Sequence, residues 1–135
     1  MSNVLSHAIT DTLHLGRKVE KEDFNIALTG TEDYIPHMGM VALTVHAHNE
    51  DMPICYHFFV NHLTEEEKVK LEKAAQLMHS PVEVHLIDDS AFKTLLLSDG
   101  VAAFFYRFLV APTVAPLTDR VLYLDGDMMC RGSLA

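Results

Sequence analysis

The sequence has 135 residues, of which 49% are hydrophobic, and its formal net charge is −9. A chain of this length forms one domain at most, and this hydrophobic content suffices for a packed core and is too high for a disordered protein. The negative charge argues against binding nucleic acid or an anionic membrane through a broad basic surface. The two cysteines, Cys55 and Cys130, form no disulfide framework, which indicates a reduced, cytoplasmic protein. There is no charged-then-apolar leader and no run of about 18 apolar residues, so neither secretion nor membrane spanning is expected.

Residues 1–23 are mixed and polar, with only weak apolar periodicity. The one element predicted there is a strand near His14 and Leu15 that packs on the rest of the chain. We therefore divide the chain into an N-terminal lead-in, residues 1–23, and one domain, residues 24–135.

Short apolar runs separated by helical patterns make up most of the remaining chain. Runs rich in β-branched and aromatic residues are typical of strands that are buried on both faces of a parallel sheet. The predicted strands lie near residues 25–29, 54–60, 82–87 and 121–124. The order β-α-β-α-β-α-β with short links predicts an α/β fold with a Rossmann-like, mostly parallel sheet.

Three helices are predicted between these strands. The first covers residues 34–49. The second begins at the capping box Thr64–Glu67, whose side chains satisfy main-chain N–H groups at a helix start, and ends near His79. The third spans Val101–Ala111 and is closed by Pro112, because proline disfavours a continuing helix. Apolar stripes at helical spacing are Met38, Val41, Ala42 and Val45 in the first helix, and Leu71, Ala74, Ala75 and Met78 in the second.

The acidic motif Asp125-Gly-Asp127 follows the last predicted strand. Residues two apart on an extended chain point to the same side, and Gly126 lets a ligand approach the backbone closely. Two carboxylates at the edge where open α/β sheets bind ligands suit Mg²⁺ or Mn²⁺ held jointly with a diphosphate. The alternative is a strand followed by an ordinary Asp-Gly turn.

Two blocks around this motif carry a family pattern. They are Tyr106-Arg-Phe108 and, after a spacer, Asp119–Leu134, which contains the strand, the acidic motif, two apolar residues, Cys130 and Arg-Gly-Ser. Together they resemble glycosyltransferase family 8, and most closely its branch of bacterial lipopolysaccharide core galactosyl- and glucosyltransferases. The resemblance extends from about Phe24 to Leu134. It implies the glycosyltransferase A-type fold, of which this chain supplies the nucleotide-binding half.

The resemblance also assigns residues to the sugar nucleotide. In the family, the turn after the first core strand holds the uridine, and the matching positions here are Thr29, Thr31, Asp33 and Tyr34. Thr31 stands where the family has an aspartate, and Asp33 where it has an asparagine. A threonine hydroxyl cannot supply a carboxylate to a uracil N–H or to ribose hydroxyls, so we expect an altered donor affinity. The alternative for Thr31–Asp33 is capping of the following helix.

Arg107 lies in an otherwise apolar helical pattern. A buried arginine needs an anionic or hydroxylated partner. The resemblance implies that Arg107 contacts the donor sugar and that Asp125 and Asp127 hold the metal ion, with Asp125 also beside the substrate. The alternative for Arg107 is a structural ion pair with Asp125 or another core acid.

The function that the resemblance implies is retaining transfer of glucose or galactose from a UDP-sugar to lipopolysaccharide core oligosaccharide. The cofactor would be Mn²⁺ or Mg²⁺, and the location the cytoplasm, at the inner face of the inner membrane. In the family, a third metal ligand, the residue facing the reacting carbon and the acceptor-binding surface lie in the second half of the domain. We therefore expect an incomplete form that has no catalytic residue in this half and is inactive alone. A membrane surface bound through the missing half, and further copies of the chain, are expected partners, and nucleic acid is not.

Two other functions are left open. A metal-dependent UDP-sugar-binding module without turnover would use the same residues. An unrelated α/β domain would use Asp125-Gly-Asp127 only as a turn. UDP binding with and without Mn²⁺ separates the unrelated domain from the others, and sugar release from a UDP-sugar separates the enzyme from the binding module.

Overall fold

The computed structural model describes residues 8–88, 90, 106, 109–125 and 129–134, and for Asp125 the main chain alone. In this part of the chain, five strands form one sheet and three helices pack against it. The strands are β1 (Ile9–Leu15), β2 (Phe24–Thr29), β3 (Ile54–Val60), β4 (Val82–Ile87) and β5 (Leu122–Asp125). The helices are α1 (Ile35–His48), α2 (Glu65–Met78) and α3 (Val110–Val114), and a 3₁₀ turn spans Glu32–Tyr34. None of the helices in the described ranges has the length and apolar character needed to cross a membrane.

The strand order is β1-β4-β3-β2-β5, with β1 antiparallel to β4 and the other pairs parallel. The four strands predicted from apolar runs are confirmed as β2 to β5, and the mostly parallel sheet is confirmed with them. The strand expected near His14 and Leu15 is β1, which is seven residues long and pairs with β4 from Ile9↔Ile87 to Leu15↔Val82. The polar N-terminal segment therefore contributes a strand to the sheet itself.

One face of the sheet is covered by α1 and α2. The apolar stripe predicted for α1 is buried against the strands, and Leu71, Ala75 and Met78 of α2 are buried beside it. The capping box of α2 is confirmed, because Glu67 N–H donates to Thr64 Oγ1 at 3.1 Å and Thr64 N–H donates to Glu67 Oε1 at 3.0 Å. The buried sheet side chains in this core are Leu15, Ile26, Leu28, Ile54, Tyr56, Phe58, Val60, Val82 and Val84. Removal of this apolar surface from water is the main force that holds the two layers together.

A second core cluster lies on the opposite face of the sheet. Its buried members are Ala8, Ala27, Phe59, Ile87, Tyr106, Leu109, Val110 and Val114. The prediction that Pro112 closes a helix is wrong, because α3 continues through it to Val114. Pro112 is the third residue of α3, where a main-chain N–H would have no partner within the helix, so its absence costs little. Most of the predicted helix Val101–Ala111 lies outside the described residues.

The link between β1 and β2 passes close to the end of α2. Gly16 has a φ of +82°, and a Cβ atom there would lie 2.9 Å from Ala75 Cβ and 3.0 Å from the Ser80 carbonyl oxygen. The left-handed backbone and the close approach both require glycine. Arg17 Nε then donates to the His79 carbonyl oxygen at 2.8 Å, which fastens the link to the helix end.

Candidate functional site

The carboxyl ends of β2, β3 and β5 lie side by side at the same end of the sheet. Thr29, the last residue of β2, is paired in register with Phe59 of β3 and with Asp125 of β5. Parallel strands run in the same direction, so their carboxyl ends come together. The turn after β2 therefore begins beside the main chain of Asp125, at the edge where open α/β sheets bind ligands.

The turn after β2 is held by hydrogen bonds from its main chain. Gly30 N–H donates to the Phe59 carbonyl oxygen at 3.1 Å, and Glu32 N–H donates to Asn61 Oδ1 at 3.1 Å. Tyr34 N–H donates to the Thr31 carbonyl oxygen at 2.9 Å. These bonds fix the path of the backbone in the turn.

The predicted nucleoside-binding residues lie together on this turn. Thr29 and Thr31 are half-buried, Asp33 is exposed, and Tyr34 is 50% exposed. The alternative, in which the side chains of Thr31–Asp33 cap the following helix, is wrong. Neither Thr31, which precedes the 3₁₀ turn, nor Tyr34, which precedes α1, makes a side-chain capping hydrogen bond. The side chains of Thr31 and Tyr34 therefore form no hydrogen bond that caps the helix start.

The acidic motif is described in part. The main chain of Asp125 forms the end of β5, whereas Asp127 and Arg107 lie outside the described residues. The predicted pairing of the two carboxylates, and the partner of Arg107, stay predictions. Within the described ranges, no group of three or more His, Cys, Asp or Glu side chains is arranged to hold a metal ion.

Two residues at this edge were missed by the sequence analysis. The Tyr123 phenol oxygen lies 2.8 Å from Thr29 Oγ1, and Asn61 accepts the hydrogen bond from Glu32 N–H. Tyr123 was interpreted only as part of an apolar strand. The two-residue period that places Asp125 and Asp127 on one side of an extended chain also applies to Tyr123, and this signal could have found it.

The segment after the acidic motif returns to α1. Cys130 N–H donates to Thr44 Oγ1 at 2.9 Å, and Leu134 N–H donates to Asn49 Oδ1 at 2.6 Å. Asn49 Nδ2 donates in turn to the Val45 carbonyl oxygen at 2.9 Å. Cys130 is half-buried against the first core cluster, as a small apolar residue would be.

A separate polar cluster is buried between β1, β4, β3 and β2. His57 Nε2 lies 2.8 Å from Asn25 Oδ1, His57 Nδ1 lies 3.0 Å from His85 Nε2, and His85 Nδ1 lies 3.0 Å from Thr12 Oγ1. Burial lowers the pKa of His57 to about 4. Burial, with repulsion from the neighbouring histidines, lowers the pKa of His85 to about 3. Every ring nitrogen of this pair is engaged by a hydrogen-bond partner, so neither ring is free to bind a metal.

Acidic and thiol groups border this cluster. His14 Nδ1 forms an ion pair with Glu83 Oε2, although the contact lacks hydrogen-bond alignment. Burial raises the pKa of Glu83, and His14 opposes that rise. Burial also raises the pKa of the Cys55 thiol. A thiol with a raised pKa is a poor nucleophile, so the cluster is structural in character.

Comparison with known families assigns the chain. A sequence model described as Glycosyl transferase family 8 matches residues 25–135. The chain belongs to glycosyltransferase family 8. This assignment removes the interpretation of an unrelated α/β domain.

Two curated proteins that are similar to this family 8 chain have names that refer to lipopolysaccharide. It is 29% identical over 116 residues to lipopolysaccharide 1,3-galactosyltransferase of Salmonella typhimurium (strain LT2), covering 85% of this chain and 34% of the relative. It is 22% identical over 129 residues to lipopolysaccharide glucosyltransferase WaaO of Escherichia coli (strain K12), covering 93% of this chain and 38% of the relative. The chain thus spans about a third of the length of these relatives.

Solved glycosyltransferase structures share the fold of this family 8 chain. The galactosyltransferase LgtC, in complex with donor and acceptor sugar analogs, matches with a TM-score of 0.71 and 20% identity over 82% of this chain and 40% of LgtC. The bifunctional glycosyltransferase WbbM, in its apo form, matches with a TM-score of 0.64 and 16% identity over 89% of this chain and 21% of WbbM. These similarities confirm the predicted Rossmann-like sheet of the glycosyltransferase A type.

Proposed function

We propose that this chain binds the sugar nucleotide in a family 8 enzyme that moves glucose or galactose from a UDP-sugar to lipopolysaccharide core oligosaccharide. The observation that carries the proposal is the register pairing of Thr29 with Asp125. It brings the turn assigned to the nucleoside next to the strand that leads into the acidic motif. The names of the curated relatives support the choice of sugar and acceptor.

The turn after β2 offers complementary groups for a nucleoside. Asp33 is exposed, and its carboxylate accepts hydrogen bonds from ribose hydroxyls or from a uracil N–H. The half-exposed Tyr34 ring offers an aromatic face to a planar base. Thr31, between the strand end and these two residues, adds one hydroxyl that donates or accepts.

The donor set of the acidic motif fits a hard divalent cation. Asp125 and Asp127 supply carboxylate oxygens, which Mn²⁺ and Mg²⁺ prefer as ligands. The chemistry supplied by a bound ion is neutralisation of the diphosphate and of the charge that develops on departing UDP. We assign Arg107 to the donor sugar.

The proposed transfer is retaining. The bond between the anomeric carbon and the diphosphate oxygen breaks, and UDP leaves with the electron pair. The acceptor hydroxyl oxygen forms the new bond on the same face of the sugar, and its proton goes to the departing diphosphate. We place the reaction in the cytoplasm at the inner face of the inner membrane, where the free cysteines Cys55 and Cys130 stay reduced.

A second candidate function is a metal-dependent UDP-sugar-binding module without turnover. It is favoured by the roles assigned above, because each residue assigned to the site in this chain serves the donor. The two candidates share their donor site and differ only in catalysis.

Calorimetric titration with UDP, with and without Mn²⁺, tests the donor site. We expect binding that requires the ion and is lost in Asp127→Asn. Asp51→Asn is the matched control. Asp51 is an exposed aspartate just before β3, so it lies at the amino-terminal end of the parallel strands, away from the acidic motif. Equal affinity with and without Mn²⁺, or an unaffected Asp127→Asn protein, would remove the metal role. Transfer of sugar from UDP-glucose or UDP-galactose to core oligosaccharide separates the transferase from the binding module.

A further inference from the structure

The strand that leads into the acidic motif has few main-chain partners among the residues that the structure describes. β5 is four residues long, and among the described strands its only neighbour is β2. The pairing covers four positions, from Ile26↔Leu122 to Thr29↔Asp125. A short strand at a sheet edge frays easily, because few hydrogen bonds hold it. Any side-chain bond between β2 and β5 therefore has a large share in fixing where β5 ends.

One such bond joins the two strands. The Tyr123 phenol oxygen and Thr29 Oγ1 are 2.8 Å apart, and both side chains are half-buried. The main-chain register pairs Tyr123 with Ala27 and Asp125 with Thr29. Tyr123 thus reaches diagonally past the small side chain of Ala27 to the residue that stands opposite Asp125.

The surroundings of Tyr123 hold its ring in this direction. Tyr123 packs against the second core cluster, which includes Ala27 and Phe59. Phe59 is also the register partner of Thr29 on the other side of β2. A ring fixed by packing loses little side-chain entropy when its hydroxyl forms a hydrogen bond, so the bond is made at low cost.

We propose that Tyr123 is a positioning residue of the donor site, which acts through its hydrogen bond to Thr29 to fix the end of β5 and hence the start of the acidic motif. The bond ties the residue opposite Asp125 to the strand that carries Asp125. It also occupies the Thr29 hydroxyl, which gives Thr29 a role in holding the site together. This proposal rests on the proposed function, because it concerns the same donor site.

The test is a double-mutant cycle with Tyr123→Phe, Thr29→Val and the double variant. Each single change removes one hydroxyl and keeps the shape of the side chain. Two residues that act only through each other give a double variant no worse than the more affected single variant. Tyr56→Phe is the matched control, since the Tyr56 hydroxyl donates to the Ala42 carbonyl oxygen at 3.3 Å on the opposite face of the sheet.

Two measurements are made on each protein. The first is amide hydrogen exchange of residues 122–125 without ligand, which reports how firmly β5 is held. The second is the apparent dissociation constant for Mn²⁺ at a fixed UDP concentration. We expect Tyr123→Phe to speed the exchange and to weaken Mn²⁺ binding by roughly 2- to 12-fold, the factor that corresponds to one neutral hydrogen bond. Tyr56→Phe should alter neither measurement, even though Tyr56 is more deeply buried than Tyr123.

Additive effects of Tyr123→Phe and Thr29→Val on Mn²⁺ binding would overturn the proposal, because the phenol would then act independently of Thr29. Unchanged exchange of residues 122–125 in Tyr123→Phe would overturn it as well. If the wild-type chain binds no UDP with Mn²⁺, the proposed function fails, and the ligand-free exchange measurement alone decides whether Tyr123 holds β5.

Discussion

His57 Nδ1 lies 3.0 Å from His85 Nε2, in a chain of hydrogen bonds whose direction is fixed from one end. Asn25 Nδ2 donates to the Asp23 carbonyl oxygen at 3.1 Å, so Asn25 Oδ1 faces His57 and accepts. His57 therefore donates from Nε2 and accepts at Nδ1, which makes His85 Nε2 the donor. His85 Nδ1 then accepts from the Thr12 hydroxyl. Both rings are neutral. A proton added at His57 Nδ1 would face the N–H group of His85 Nε2, and two donors cannot form a hydrogen bond with each other.

The free energy of unfolding should fall when the pH drops below about 6.5. The pKa values of His57 and His85 are lowered by burial from 6.5 to about 4 and about 3. Between these values and 6.5, the two histidines are therefore protonated in the unfolded chain and neutral in the folded one. The stabilisation by the neutral rings is complete above the unfolded pKa and is lost as the pH falls toward the folded values. Linkage predicts a loss on the order of 2–4 kcal/mol at about pH 5 relative to about pH 7, measured by urea unfolding.

His57→Gln tests the origin of this acid sensitivity. Glutamine keeps a donor and an acceptor but takes up no proton, so the pH dependence should be shallower whatever the overall stability of the variant. Glu83 contributes with the opposite sign, because burial raises its pKa, and it is present in both proteins. His48→Gln replaces an exposed histidine at the end of α1 and should keep the wild-type slope. A His57→Gln protein as acid-sensitive as the wild type would contradict the assignment.

Restoring the family pattern in the turn after β2 should tighten UDP binding. We expect Thr31→Asp, combined with Asp33→Asn so that the local charge is unchanged, to raise the affinity roughly 5- to 15-fold. The variant moves the carboxylate from position 33 to position 31, where the family has its aspartate, and a hydrogen bond to a carboxylate there is stronger than one to the threonine hydroxyl. The side-chain oxygen of asparagine at position 33 still accepts a hydrogen bond in place of the Asp33 carboxylate. Calorimetry in the presence of Mn²⁺ measures the change.

The matched control for that variant is Thr31→Asn with the same Asp33→Asn change. It places a side chain of the same size, without charge, at position 31. An equal affinity of the two double variants would show that a carboxylate at position 31 does not face the nucleoside.

Gly16→Ala should destabilise the protein by roughly 1–3 kcal/mol, because it forces a side chain into a left-handed backbone and against α2. The steric part comes from Ala75 Cβ, 2.9 Å from the position of the new atom. Gly39→Ala is the matched control with the opposite sign. Gly39 lies in α1 with open space around it, so alanine should stabilise the helix by about 0.5–1 kcal/mol. Urea unfolding of the pair measures both, and a stable Gly16→Ala protein would contradict the close approach.

The isolated chain should self-associate as its concentration rises. β5 forms one edge of the described sheet and presents main-chain groups that a second chain can pair with. Val121→Lys, next to β5, should reduce association, because lysine at an edge disfavours pairing and its charge can stay in water. Val69→Lys on the exposed side of α2 is the control. Light scattering that shows a clean monomer over a wide concentration range would count against this edge.

The elements that were predictable from sequence are those whose own residues decide their structure. The capping box at Thr64 fixes the start of α2. The apolar run 54–60 is short and continuous, as is typical of a strand buried on both faces, and all seven of its residues are buried. The helix boundary at Pro112 failed because proline is tolerated in a first turn, and the pattern did not tell an early position from a late one.

Contacts between distant residues were not predictable in this way. Thr29 and Tyr123 are 94 residues apart, and His57 and His85 are 28 apart. Each pair meets only because the strands order as they do, and no local pattern encodes that order. The candidate site was predictable as a set of residues through the family resemblance, whereas the bonds that hold it in place had to come from the structure.

The antiparallel strand β1 is synthesised well before the strand with which it pairs. Thr12 and its partner His85 are separated by 73 residues, so β1 leaves the ribosome long before β4 exists. At roughly 5–20 residues per second, translation of that interval takes about 4–15 s. During this time the nascent chain carries an unpaired strand. The polar residues that alternate along it, among them Thr10, Thr12 and His14, keep it from presenting a continuous apolar surface while it waits for its neighbour.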